Sequence, residues 1–133
     1  MKLFICIDKS GGILFNNRRQ SMDSVVRKRM LEIIGERKLF LNQYSESQFE
    51  DKSKLTVSDN FISLMADDDF CFIENTDFDV SSFNELYVFN WNRNYPFDKS
   101  FLIDNSFKKI KTECFAGTSH DKITLTIYRS EAK

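Results

Sequence analysis

Between Lys2 and Asp8 the chain runs Leu-Phe-Ile-Cys-Ile with no polar break. A strand with one face in water alternates apolar and polar residues, whereas a continuous apolar run with β-branched members marks a strand covered on both faces. That places residues 2–7 at the centre of a sheet. Asp8-Lys9-Ser10-Gly11-Gly12 breaks the run, Ile13-Leu14-Phe15 is a short apolar return, and the polar cluster Asn16-Asn17-Arg18-Arg19-Gln20-Ser21 follows. Ser21 or Asp23 can then accept from exposed backbone N–H groups as an N-cap, and Val26, Met30, Ile33 and Ile34 recur at helical spacing. Gly35 closes that helix. Lys38 to Leu41 reads as a second buried strand, so the N-terminal part is a βαβ unit with a parallel strand pair.

Downstream, the pattern predicts a short helix at residues 45–49, a strand at 55–57, and a helix capped by Ser58 that carries Phe61, Ile62, Leu64 and Met65. Strands are predicted at 69–73 and 85–91. After Pro96, residues 101–103, 107–115 and 122–129 read as strands with no helix between them, so the C-terminal third is expected to be antiparallel. The fold class is therefore α/β: three layers, αβα, around a central mixed sheet. A length of 133 residues suits one domain, 1–133, with a core that needs no disulfide staples. Fourteen phenylalanines against four glycines and one proline favour long regular elements.

Net charge is -1, which argues against general nucleic-acid binding. The charge is unevenly placed: 11 basic and 7 acidic residues through Lys54, no basic and 8 acidic from Leu55 to Asn92, and 8 basic and 5 acidic thereafter. The acidic middle is a solvated face or a surface for a basic protein partner. Cys6, Cys71 and Cys114 share no metal-ligand spacing, so no metal site is expected, and all three read as reduced core residues, which suggests the cytoplasm. The apolar run of the N-terminus is too short for a signal peptide, and no stretch reaches membrane-spanning length.

The order of elements resembles a shortened dihydrofolate reductase. MKLFICIDKSGGIL is similar to that family's first strand and its Asp/Glu-Lys-Asn-Gly-Val-Ile-Gly loop, and the helix opening at Asp23 to the one that carries its single buried carboxylate. FKKIKTECF and KITLTIYRS resemble its last two strands. The resemblance implies a cofactor-phosphate turn after the second strand, Gly-Arg-x-Thr in the family, where this chain has Asn42, Gln43 and Ser45. It also implies a Gly-Gly turn meeting pyrophosphate, where this chain has Glu74 and Asn75. The Pro-Trp pair of the first loop is replaced by Arg18-Arg19-Gln20. No NADPH cofactor, and hence no hydride transfer, is expected.

The sequence further resembles a group of short uncharacterised bacterial proteins that share FNxRRQSxD, FxWNRxYP and FAGxSHxKIT, here residues 15–23, 89–96 and 115–124. Some of them carry an automated ribonuclease Z label. That metallo-β-lactamase chemistry needs a cluster of histidines, and His120 is the only one in this chain.

The three motifs supply the candidate site. Arg18 and Arg19 are bidentate donors for carboxylate or phosphate, or loop anchors paired with acidic neighbours. Gln20 offers an amide. Asp23 is a helix cap or a base, and Trp91 is core or a stacking face beside Arg93 as a second cation. Ser119 and His120 lie in the final hairpin turn, where His120 caps the turn or acts as a base, and Asn42 satisfies strand-end backbone groups or binds ligand. Three functions are open: binding of a small anionic or nucleotide-like molecule by the Arg18-Arg19 loop, a hydrolase or nuclease using Asp23 or His120, and a protein-binding inhibitor or immunity-type module.

Overall fold

The computed structural model describes residues 1–131. Its main sheet has seven strands in the order β5-β4-β6-β1-β7-β10-β9, with β1 at Lys2–Ile7, β4 at Leu39–Leu41, β5 at Leu55–Val57, β6 at Phe70–Phe72, β7 at Glu85–Asn90, β9 at Phe107–Phe115 and β10 at Ile123–Ser130. Strand β1 is central and parallel to both neighbours, with Leu3 opposite Cys71 and Leu86. Strand β10 is antiparallel to β7 and β9, which makes the sheet mixed and ends it in a hairpin. A second, small sheet, β3-β2-β8, lies outside it, with β2 at Gly12–Phe15, β3 at Arg18–Arg19 and β8 at Lys99–Ser100.

The alternation of side chains along β1 divides the core. Phe4 points to the face covered by helix α1, Ser24–Ile34, whose Val26, Met30 and Ile34 form one stripe at four-residue spacing. Leu3 and Ile5 point to the other face, where the one-turn helix α3, Phe61–Leu64, the 3-10 turn Val80–Ser82 and the segment around Phe101 and Phe107 cover the sheet. The phenylalanines fill both layers: Phe4 meets the rings of Phe70 at 5.3 Å and Tyr87 at 5.2 Å. Asp23 is the N-cap of α1, accepting from Val25 N at 2.9 Å, and Gly35 ends it with φ 62°.

Several sequence expectations are corrected. Strands β1 and β4 are parallel but do not pair, because β6 lies between them. Residues 101–103 form no strand: only Phe101 of the three is buried, Leu102 is 76% exposed, and the pairing with β2 is made two residues earlier by β8. Helix α2 is Gln43–Glu46 rather than 45–49, since Asn42 caps it by accepting from Ser45 N. Asn60, not Ser58, occupies the cap position of α3. Cys114 is exposed on β9 instead of in the core, while Cys71 is buried. Within the acidic segment, Glu74, Glu85 and Asp77 pair with Arg19, Arg129 and Lys99 from outside it. Among the described residues no helix is long and apolar enough to cross a membrane.

Candidate functional site

The carboxyl ends of β1, β4, β6 and β7 open on one edge of the sheet, the edge at which parallel α/β sheets place ligands. They deliver Asp8, Asn42, Glu74 and Trp91 to that edge, where the α1 N-cap Asp23 and the β9–β10 turn at residues 116–122 join them. Asn16 and Asn17, with φ 52° and 60°, form the two-residue turn between β2 and β3, with Phe15 opposite Arg18. Both central residues at positive φ is the type I′ geometry that asparagine tolerates, so the polar cluster is a hairpin tip.

Strand alternation splits the two arginines. Arg19 turns inward: its Nε and Nη2 donate to Glu74 at 2.8 and 3.0 Å, Nη2 also donates to Tyr44 O, and the guanidinium lies 4.2 Å from the Tyr44 ring centroid. Glu74 further accepts from Ser45 Oγ and Gln48 Nε2. Arg19 is thus a loop anchor. Arg18 is exposed, and among the described residues no carboxylate pairs with it. It lines a cleft of about 570 Å³ with Phe15, Asn16, Arg19, Gln20, Tyr95 and Pro96.

Asp23 is 3% exposed and accepts on both oxygens. Oδ1 takes Val25 N, Thr118 N and Thr118 Oγ1; Oδ2 takes Ser119 N at 2.8 Å and Ser119 Oγ at 2.9 Å, and His120 Nδ1 lies 3.4 Å from it. Burial alone would raise its pKa, but the backbone N–H groups of Ser119, Thr118 and Val25 and the Ser119 hydroxyl outweigh it and hold the carboxyl well below the usual range. His120, also 3% exposed, bonds Tyr95 Oη at 2.8 Å and Ser21 Oγ at 3.3 Å through Nε2, and stacks on Trp91 with centroids 4.6 Å apart.

The structure therefore joins buried Asp23, His120 and Trp91 with the exposed Ser119 in one cluster and leaves Arg18 and Gln20 on the cleft beside it. Trp91, 2% exposed and covered by His120, offers no free stacking face. Arg93 is exposed and does not line that cleft. Asn42 lies elsewhere on the edge, donating to Asn75 Oδ1 and Thr76 Oγ1. Two residues of this edge were missed. Asp8, fully buried, accepts from Ser10 N, Gly12 N, Gln20 Nε2 and Tyr95 N, so it fixes both walls of the cleft. Tyr95 sits inside the FxWNRxYP motif, and its signal was that motif's final aromatic. Among the described residues no three His, Cys, Asp or Glu are placed to hold a metal ion.

Among solved structures, this one is similar to dihydrofolate reductase from Enterococcus faecalis complexed with NADP(H) and RAB-propyl, with a TM-score of 0.64 over 98% of this chain and 95% of that one. The chain has a dihydrofolate reductase-like fold. Sequence identity is 12%, so the likeness concerns the fold alone. No family model matches the sequence, and no curated protein does.

The residues present do not fit a dinucleotide of the kind that fold implies. Asn42 ties the turn after β4 directly to Asn75 and Thr76 after β6, joining the two turns that the resemblance assigns to the cofactor phosphates. At the turn the resemblance assigns to pyrophosphate, this chain has Glu74, a carboxylate already paired with Arg19, and the 610 Å³ cleft beside it carries Asp79 and the Asp77–Lys99 pair on its wall. The interior between Cys6, Ile73, Glu74 and Trp91 holds a void of about 10 Å³, room for a single water at most.

Proposed function

We propose that the protein binds a small anionic, nucleotide-like molecule in the Arg18 cleft and carries out no NADPH-dependent hydride transfer. The supporting observation is a cation on a preformed concave surface: among the described residues Arg18 has no carboxylate partner, while Phe15 and Tyr95 supply aromatic surface in the same cleft. A guanidinium meets phosphate or carboxylate through two parallel N–H donors, and a hydrogen bond to a charged group contributes about 1.5–3 kcal/mol. The volume, about 570 Å³, is within the range of small-molecule sites.

The test is thermal denaturation against inorganic phosphate, sugar phosphates and mononucleotides, including cyclic AMP. A bound anion raises the midpoint of the wild type, and Arg18→Ala abolishes the shift while its own unliganded midpoint stays at the wild-type value. Absence of a shift with every compound, or an unchanged shift in Arg18→Ala, refutes the reading.

A second reading, a hydrolase with His120 as base, is favoured by the Asp23–His120 contact. Asp23 already accepts on both oxygens, and His120 is only 3% exposed with both ring nitrogens in contact with side-chain groups, so this reading stands second. Turnover of an RNA and nucleotide panel that is lost in His120→Gln would reverse that order.

A further inference from the structure

Three polar groups line up from the start of α1 to the wall of the Arg18 cleft: the Asp23 carboxylate, the His120 imidazole and the Tyr95 phenol. Ser119 Oγ bridges the first two, 2.9 Å from Asp23 Oδ2 and 2.9 Å from His120 Nδ1. The proton inventory of that bridge settles the tautomer. Ser119 has one hydroxyl proton, and two oxygens compete for it, Asp23 Oδ2 and Met22 O at 3.1 Å. Given to either, it leaves the hydroxyl oxygen to accept from His120 Nδ1–H. The network thus assigns the proton of the neutral ring to Nδ1, and Nε2 accepts the Tyr95 hydroxyl at 2.8 Å. In this state the one proton of the Tyr95 hydroxyl is committed inward.

An anion in the cleft competes for that proton. When the phenol turns to donate to the anion, His120 Nε2 loses its 2.8 Å donor and keeps only the longer contact to Ser21 Oγ at 3.3 Å. The imbalance is removed if Nε2 takes a proton of its own and donates it to Tyr95 Oη. The surroundings accept the resulting imidazolium. Asp23 from the α1 N-terminus faces Nδ1, and the ring of Trp91 at the end of β7 lies 25° from parallel beneath it, a cation–π geometry. From its own turn the neighbours are Ser119 and the exposed Asp121 and Lys122, and from the segment before α1 it is Ser21. Asp8 reaches Tyr95 only through the backbone N–H. Of the two arginines on the cleft, Arg19 is neutralised by Glu74 and Arg18 opposes a second positive charge, and an anion bound to Arg18 removes that opposition.

We propose that an anion enters the Arg18 cleft together with one proton, taken from solvent onto His120 Nε2 and presented to the bound anion through Tyr95 Oη. The inference rests on the anion-binding reading of the cleft and adds its linkage to pH. The ligand class is thereby narrowed to anions with an oxygen that accepts from a phenol. No bond other than those of hydrogen changes, and the bound state carries one proton more than the free protein and free anion together.

The experiment is titration calorimetry with cyclic AMP, which carries no group titrating near neutral pH, in buffers of different ionisation enthalpy at the same pH. Proton uptake appears as a linear dependence of the observed heat on the buffer's ionisation enthalpy, with a slope approaching one proton. Affinity tightens toward acid pH by up to about tenfold per unit, the limit for one linked proton. In His120→Gln the slope falls to zero and the affinity becomes flat in pH. Tyr95→Phe, which leaves every Asp23 contact in place, also loses the slope, so the test survives if the His120 variant fails to fold. Binding by the wild type with no buffer dependence overturns the coupling and leaves the cleft reading intact. Undiminished proton uptake in both variants likewise overturns it. No binding heat at all overturns the cleft reading, and the coupling with it.

Discussion

Asp23→Asn tests whether the carboxylate at the head of α1 is a saturated structural centre or a base held in reserve. The substitution is isosteric, but only one oxygen survives, and whichever position becomes the amide nitrogen confronts a backbone donor that cannot turn away. If it replaces Oδ1 it faces Val25 N and Thr118 N; if Oδ2, it faces Ser119 N. A buried donor left unsatisfied costs about 1–3 kcal/mol, and losing the charge on the remaining contacts adds to that, so the expected loss is about 3 kcal/mol. For a domain of this length that corresponds to a midpoint lower by roughly 10 °C. The pH dependence carries a second signature. The folded-state pKa of Asp23 is depressed, so its stabilisation is present above the ordinary carboxylate value of about 3.9 and is lost as pH falls below it. The difference between wild type and Asp23→Asn, measured by urea unfolding, is therefore full at pH 7 and shrinks toward pH 3. A variant within 1 kcal/mol of wild type at pH 7, or a difference independent of pH, would refute this account of the hub.

The two adjacent arginines are expected to behave oppositely. Arg19→Ala strands Glu74, whose side chain is 8% exposed, and should lower stability by about 3 kcal/mol in urea unfolding, whereas Arg18→Ala should change it by less than about 0.5 kcal/mol. Equal effects would mean that the hairpin tip is not oriented as described. In the core, Phe4→Ala removes a fully buried ring in contact with three others and should cost about 3–5 kcal/mol, read from the shift in urea midpoint at unchanged slope.

The fold was legible because its strongest signals are local. The unbroken run of β1, the stripe of α1, the Asp23 cap and the alternation of the last hairpin each specify an element without reference to anything distant. Strand order was not legible: that β6 separates β1 from β4 depends on which buried strand the chain inserts between them, and both are equally apolar. Residues 101–103 misled for a related reason, since all three match a strand pattern while Phe101 is buried, Ile103 only partly so, and Leu102 stands in solvent. The site was legible as a set of motifs but not as a set of partners. Arg19 meets Glu74 across 55 residues and His120 meets Asp23 across 97, and no spacing rule reaches that far. Asp8 went unnoticed because a lone aspartate after a strand reads as the end of the strand. Its four accepted hydrogen bonds exist only once the loops around it have closed.

Gly117 connects the motif to the hub in a way that one substitution can resolve. It does not use left-handed backbone, so conformational freedom is not the reason for a glycine there. The reason is proximity: a Cβ at this position would collide with the Asp23 carboxylate and would lie 2.7 Å from Ile123 Cδ1. Neither neighbour can yield, because Asp23 is held from both sides and Ile123 is fully buried. Gly117→Ala should therefore destabilise the protein by about 1–3 kcal/mol, the usual cost of overpacking. In an Asp23→Ala background the carboxylate is gone, and the added methyl then meets Ile123 alone. The cost of Gly117→Ala should fall there by about 1 kcal/mol or more, a coupling within the range seen between contacting residues. The readout is a double-mutant cycle by urea unfolding. Strict additivity would show that the turn at residues 117–120 can lift from the helix without loss, and the rigid Asp23–His120 geometry on which the proton linkage depends would fall with it.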